Sequence, residues 1–383
     1  KRFWICCGGG ESMKITFPHM GNLYIAIEAL LGELGHEFVV PPKSSKRTLT
    51  LGTKYSPETI CLPLKLGVGN LLEGIELGAD TALMVGGRGP CRLGYYAALQ
   101  QEILYDLGKE INFIVLDHPK EDFTRLKSQV VPLVQKGGLR ALAKGVALAW
   151  EKLKAVEKLE RTAHFVRPRE AKPRATTQAL NRALQELRRL GSIRDIRRRC
   201  REECDNLLAL ASTNAQRPIK VGIVGEIYTI LEPFANLDLE ERLGYLGVEV
   251  FRTVSLARWL RNNVILSSLG LYRSWKLRIN ARGYLRAPVG GHGLDTVAQT
   301  AALACKGYDG AVHILPFTCM PEIVAQCVLP NVSSDCRIPV LSLVVDEHTG
   351  ETGFQTRLEA FVDLLSRQRK GGAGYEPACL SWS

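Results

Sequence analysis

The sequence predicts an α/β protein made of two similar, doubly wound Rossmann-like lobes with a basic helical insertion between them. Short strand patterns alternate with helical ones near both ends of the chain, as an open parallel sheet requires. In the middle, strand patterns vanish and only helical spacing remains. Segments of the first part also return in the last. LGYLGVEVFR, Leu243 to Arg252, echoes LGELGHEFVV, Leu31 to Val40. GYDGAVHILPFTC, ending at Cys319, echoes GADTALMVGGRGPC, ending at Cys91, with one residue deleted. Self-similarity of this kind marks a duplicated unit.

Taken in order, Lys14 to Phe17 reads as a strand, PHMGN as a loop, Leu23 to Leu34 as a helix and His36 to Val40 as a second strand. A helix around Leu62 to Leu77 leads into the strand Thr81 to Val85, the loop GGRGPC, the helix Tyr95 to Leu107 and the strand Ile111 to Leu116. This first lobe spans 13–119. Apolar residues then recur at four and three spacing, as in Leu142, Val146, Ala149, Leu153 and Val156, so the insertion, 120–217, is helical and breaks near Pro168 and Pro173. The second lobe, 218–370, opens with the strand Ile219 to Val224 and the helix entry GEIYTILEPFAN. It closes with the strand Val340 to Val345, the polar loop DEHTGETG and a helix from Gln355 to Leu365.

At 383 residues the chain is long enough for two or three domains, each burying a core. With 46% hydrophobic and 23% charged residues, 36 Gly and 18 Pro, it is neither collagen-like nor broadly disordered. The longest apolar stretches fall far short of the ~18 residues that span a bilayer, so no membrane role is expected. KRFWICCGGGES has too few apolar residues for the ~7–15 of a signal-peptide core; Met13 reads as a natural start after a loose extension. Eleven cysteines lie well below the ~8–10% of a disulfide scaffold, and a reducing cytoplasm is the expected location. The net charge of +11 is concentrated: residues 120–217 hold 23 Lys/Arg against 11 Asp/Glu, or +12, leaving −1 elsewhere. The run Arg194, Arg197, Arg198, Arg199, Arg201 reads as a solvated helix face or a docking surface for a homodimer or larger complex. No aromatic residues are interleaved with it to stack bases, so nucleic acid is not the expected partner.

Cys91 and Cys319 hold equivalent places in the repeat, each after a hydrophobic strand and before a helix. Ligands bind beyond the carboxyl ends of strands in open α/β sheets, so both thiols are expected at a cleft between the lobes. Cys61, in ETICLPLK, also sits just before a helix, and Pro63, Pro90 and Pro321 stand within two residues of the three. A helix N-terminus favours the thiolate that metals bind. CxxC spacings are absent, which argues against a ferredoxin-type cluster or zinc ribbon, and burial of the thiols remains an open alternative. Cys305 and Cys327, inside apolar helices, are expected in the core. Cys200, Cys204, Cys336, Cys6, Cys7 and Cys379 are not expected to ligate.

The segments KITFPHMGNLYIAIEALLGELGHEFVVPP, GTKYSPETICLPLK, GGRGPCRLGYYAALQQEIL, VGEIYTILEPFANLDLEERL, PFTCMPEIVAQ and DEHTGETGFQTRLEAFVDLL resemble acyl-CoA dehydratase activase-related proteins, also called CoA protein activases. These belong to the 2-hydroxyacyl-CoA dehydratase superfamily, with benzoyl-CoA reductase subunits and the double-cubane cluster protein. The resemblance covers both lobes, from Met13 to about Arg367. It implies an iron–sulfur cluster, either a four-iron cubane (4Fe-4S) or a double cubane (8Fe-9S), held by Cys61, Cys91 and Cys319. It further implies that low-potential electrons arrive from an ATP-dependent activator of the actin fold carrying its own cluster, and that a small-molecule substrate is reduced at the open iron. The chain has no GxxxxGK-S/T loop, so it is expected to accept electrons and not to hydrolyse ATP itself. Two other classes stay open: a non-catalytic cluster carrier or electron relay, and a zinc or nucleic-acid-binding protein that uses the basic insertion.

Polar residues gather in loops at the same predicted edge. His19 and Asn22 follow the first strand, and Glu226 occupies the matching loop of the second lobe; each suits a proton donor or, equally, a turn and helix cap. Lys65 and Arg92 are placed to neutralise a reduced cluster or to be solvated. VGGHG, Val289 to Gly293, offers backbone amides to an anion, with His292 among them. Glu347 and His348, with Asp346 and Glu351, form either an acid–base pair or a hydrogen-bonded loop. Thr318 and Glu322 flank Cys319.

Overall fold

A computed structural model describes residues 13–86, 92–117, 123–134, 137–212, 217–266 and 279–370. The first lobe runs β1 (Lys14–Thr16), α1 (Tyr24–Glu33), β2 (Glu37–Val39), α2 (Lys46–Tyr55), α3 (Leu62–Glu76), β3 (Thr81–Val85), α4 (Tyr96–Asp106), β4 (Asn112–Leu116). The insertion supplies α5 (Phe123–Val134), α6 (Gly138–Val166), α7 (Ala175–Arg189) and α8 (Ile193–Leu208). The second lobe follows as β5 (Ile219–Gly225), α9 (Ile227–Leu231), α10 (Leu239–Tyr245), β6 (Val248–Arg252), α11 (Leu256–Trp259), α12 (Gly293–Cys305), β7 (Gly310–Pro316), α13 (Met320–Asp335), β8 (Val340–Val345) and α14 (Glu351–Lys370).

Each lobe carries a four-stranded, all-parallel sheet, ordered β2-β1-β3-β4 and β6-β5-β7-β8. The repeated sequence segments fall on equivalent elements. So does one side-chain bracket: Lys14 N–H donates to Asp80 Oδ1 at 3.0 Å, and Lys220 N–H donates to Asp309 Oδ2 at 2.7 Å. In both lobes, therefore, the aspartate that opens the third strand clamps the start of the first.

Strand side chains alternate between faces, and both faces of each sheet are covered. Val221, Ile223, Val312 and Ile314 pack on Phe354, Leu358 and Phe361 of α14, while Val224 and Ala311 face Val297 of α12 and Ala325 and Val332 of α13. In the first lobe Ile15, Leu83 and Ile114 meet Leu31 of α1 and Leu34, its C-cap, and Ala82 meets Leu64 and Leu71 of α3. Helix α6 joins the parts: Leu148, Val156 and Leu159 pack with Ile25 and Ala29 of α1 and with α7 and α8, and Leu153 packs with Leu256 and Ala257 of α11.

Two local features differ from the sequence reading. Helix α2 is an addition, started by a reciprocal cap in which Thr48 N–H donates to Ser45 Oγ and Ser45 N–H donates to Thr48 Oγ1. Cys305 and Cys327 are exposed, because α12 and α13 turn those positions away from the sheet, whereas Cys336 is buried at 2% exposure. The arginine run lies on a solvated helix face, as expected, and the structure adds surface ion pairs: Arg197 with Glu151, Arg198 with Asp195 and Glu202, Arg199 with Glu186, Glu202 and Glu203. Among the described residues no helix is long and apolar enough to cross a membrane.

Candidate functional site

Cys61 is the N-cap of α3 and Cys319 the N-cap of α13, each followed by a proline in the first helical turn, Pro63 and Pro321. Proline fits there because the amide it lacks has no partner within the helix. Cys61 is buried and its Sγ meets the Tyr96 hydroxyl at the start of α4. Leu62 and Leu66, in the next turn of α3, join the core of the second lobe with Tyr228 and Val345, so the N-terminus of α3 is driven into the seam between lobes. Cys319 is half-buried. Burial pushes its thiol well up, the negative charges of Glu226, Glu322 and Cys61 push the same way, and the Glu322 backbone amide pulls it down. Leu62, next to Cys61, packs in the same core as Ile314 of β7, the strand that leads to Cys319, which brings one thiol from each lobe towards the same seam.

Thr318, just before Cys319, has φ +70°, a left-handed conformation that costs a β-branched residue on the order of 1–3 kcal/mol. Its Oγ1 is buried without a hydrogen-bond partner. Backbone strain and an unsatisfied hydroxyl at the thiol are the kind of local cost that functional sites retain.

His292 is the N-cap of α12, the last helix before β7, just as Cys61 caps the last helix before β3. It therefore occupies the Cys61 position of the duplicated lobe, a correspondence hidden in sequence because the preceding segments differ. The first turns of α12 and α13 abut: a Cβ on Gly293 would overlap the Pro321 carbonyl, and Thr296 Oγ1 donates to Glu322 Oε2 at 2.9 Å. Glu322 also accepts from His313 Nε2 at 3.0 Å, and His313 Nδ1 lies 3.2 Å from Ser342 Oγ, so its carboxylate secures α13 to the sheet. Three helix N-termini, of α3, α12 and α13, gather here and favour negative charge.

The other expected residues separate into distinct places. Glu226 caps the short α9, its Oε1 accepting from Tyr228 N–H at 2.9 Å and its Oε2 from Thr229 N–H at 2.8 Å. Burial raises its carboxyl; those bonds and the charge of His292 oppose the rise. Lys65 is 1% exposed, donating to Glu58 O at 3.0 Å and ion-paired with Glu347 of the other lobe. Asp346 closes the neighbouring turn by accepting from His348 N–H and the Thr349 hydroxyl, which leaves His348 exposed. His19 is buried; its Nε2 donates to Pro41 O at 2.7 Å, and its backbone amide donates to Asn70 Oδ1 at 3.1 Å. Asn22 reaches Glu160 of α6 at 2.8 Å. Arg92 is exposed. Cys91 lies outside the described residues, as do Cys6, Cys7 and Cys379. Among the described residues no three His, Cys, Asp or Glu side chains are grouped closely enough to hold a metal ion.

Sequence reasoning missed Tyr96 and Glu232. Glu232 is 4% exposed, accepts from Gly21 N–H of the first lobe at 2.7 Å, and has its carboxyl raised by burial. The one signal was a glutamate directly before Pro233, inside the segment read as a helix entry. No protein-family model matches the chain, and no curated protein matches it either.

Proposed function

We propose that the chain is an iron–sulfur protein in which Cys61, Cys91 and Cys319 hold a cluster, a 4Fe-4S cubane or an 8Fe-9S double cubane, between two Rossmann-like lobes. The observation that carries this reading is the pair Cys61 and Cys319: thiols from different lobes, each the N-cap of a helix, with Leu62 and Leu66 beside Cys61 packed into the core of the lobe that holds Cys319. The donor set fits a thiolate-bound group. Helix N-termini stabilise thiolates and the negative charge such a group carries, and the Tyr96 hydroxyl can donate to the Cys61 sulfur. When bound, a cluster with three thiolates supplies a low-potential electron store and one iron accessible to a ligand. Around it, the Lys65–Glu347 ion pair latches the lobes, and Glu226 and His292 are the candidate proton carriers. Electrons come from an ATP-dependent activator of the actin fold, and a small molecule is reduced in the seam.

Purification without oxygen, followed by iron and acid-labile sulfide analysis and spectra before and after dithionite, tests this. About four irons per chain support a single cubane, and about eight with nine sulfides a double cubane. A colourless protein with zinc, or with no metal, overturns the reading. Cys61→Ala, Cys91→Ala and Cys319→Ala should each lose most of the iron, while Cys305→Ala and Cys327→Ala keep it; equal retention in all five refutes the ligand assignment.

A further inference from the structure

Helix α6 presents Trp150, Lys154, Glu157, Arg161 and His164 at spacings of four, three, four and three, which places them along one face. That face forms one wall of a cavity of about 330 Å³. The opposite wall is the carboxyl end of β6, α11 and the turn after it, with Phe251, Arg252, Ser255, Arg258 and Arg261. Two strands away in the same sheet, Cys319 follows β7, so the cavity lies along the sheet edge where α/β proteins bind ligands.

Its charges are unbalanced. The lining carboxylate, Glu157, is already committed: Oε2 accepts from the Ser255 hydroxyl at 2.6 Å and Oε1 from Ala257 N–H at 2.9 Å. Arg252 is ion-paired with Glu160 and Glu240, His164 Nε2 lies 2.9 Å from Glu240, and Lys154 is paired with Glu151. Arg161, Arg258 and Arg261 have no carboxylate at ion-pair distance among the described residues, yet they crowd one another: burial, and then the charges of Arg161 and Arg261, lower Arg258 against the pull of Glu157. On α8, Arg197, Arg198 and Arg199 each find an acid, whereas Arg201 turns its Nε to the Arg197 carbonyl. Three exposed guanidiniums, none in an ion pair among the described residues, stand beside the half-buried ring of Trp150; Arg258 also donates to Thr253 O, and the Phe251 ring packs against Tyr308, so Trp150 is the aromatic surface of a receptor for a flat molecule bearing phosphate.

We propose that this cavity binds a small phosphorylated ligand, the phosphate held by Arg161, Arg258 and Arg261 and the apolar part laid against Trp150. The volume is that of a small-molecule pocket, not of an extended strand-binding groove. The inference is independent of the cluster reading and stands whether or not the chain binds iron.

The test is calorimetric titration of the intact chain with ADP, inorganic pyrophosphate, adenosine and a single-stranded oligonucleotide, at low and high salt. ADP should bind with a Kd below about 1 mM, pyrophosphate more weakly and adenosine not at all, with affinity falling as salt rises. Tryptophan emission should change on adding ADP, and Trp150→Phe should abolish that change. Arg161→Gln and Arg261→Gln, neither of which breaks an ion pair, should each weaken ADP at least tenfold, whereas Arg201→Gln on α8 should leave it unchanged. Absence of ADP and pyrophosphate binding up to about 10 mM overturns the proposal. So does equal weakening by Arg201→Gln, or preference for the oligonucleotide over ADP.

Discussion

Lys65 and Glu347 stand 282 residues apart, and their pairing shows where reading single residues stops. One turn after Cys61, a lysine is equally at home in water or beside a cluster; the structure buries it at 1% exposure against a carboxylate of the other lobe. Sequence could flag the position but not the partner, because the contact exists only once the lobes dock. Cys61 and Cys319 were legible as helix caps, since each thiol is followed two residues on by a proline that opens a helical pattern. The exposure of Cys305 and Cys327 was not, because an apolar helix has two faces and sequence did not say which faced the sheet. The asymmetry of the Lys65–Glu347 pair gives a prediction. Glu347→Ala strands a buried cation and should cost about 3–5 kcal/mol in urea unfolding. Lys65→Met leaves only the better-solvated Glu347 and should cost clearly less, and the double variant should match Lys65→Met. A larger loss for Lys65→Met would mean that the pair is not what holds this part of the seam.

Among elements, strands and long helices announced themselves by period, whereas α2 did not. KRTLTLGTKY is polar and interrupted by Gly52; it becomes a helix because Ser45 caps it and because Gly52 lets it close onto the Lys65 carbonyl of α3, where a Cβ would overlap. Helix α10 carries a second tertiary dependence. Glu240 accepts from His164 Nε2 of α6 at 2.9 Å and pairs with Arg252 of β6 at 3.5 Å, joining the insertion to the second lobe. Burial alone would raise its carboxyl, but His164 and Arg252 outweigh that and bring it from 4.5 to about 2. A depressed carboxyl stabilises the fold above its unfolded value near 4.5 and loses that contribution as pH falls towards 2, a difference of up to ~3 kcal/mol. Glu240→Gln should therefore be less stable than the parent at pH 7, and the gap should close as pH is lowered from about 4.5 to about 2. Denaturant unfolding across that window measures it; a gap constant with pH would remove Glu240 from the acid response.

For the whole molecule, the duplication predicted two alike sheets, and their shared strand order follows from it. How the two halves meet could not be read, because the docking residues are unremarkable singly: a glycine in the loop after β1, a glutamate after α9, two leucines on α3. At the junction Gly21 has φ +55° and sends its N–H to Glu232, with the Leu231 carbonyl so close that a Cβ on Gly21 would overlap it. Gly21→Ala thus combines a left-handed backbone that alanine resists, worth about 1–2 kcal/mol, with a backbone clash that only separation of the loops relieves. Two readouts distinguish strain from undocking. If the loss is confined to backbone strain, the unfolding midpoint falls modestly and hydrogen exchange changes only near Gly21. If the lobes are pried apart, exchange rises together at Gly21, at Leu231 to Glu232 and at the first turn of α3, and an iron-loaded protein loses metal faster, because Cys61 and Cys319 belong to opposite sides of the seam. The overlap with the Leu231 carbonyl favours the second outcome. Protection unchanged on the second-lobe side would show that the lobes are held by α3 and the Lys65–Glu347 latch without help from this loop.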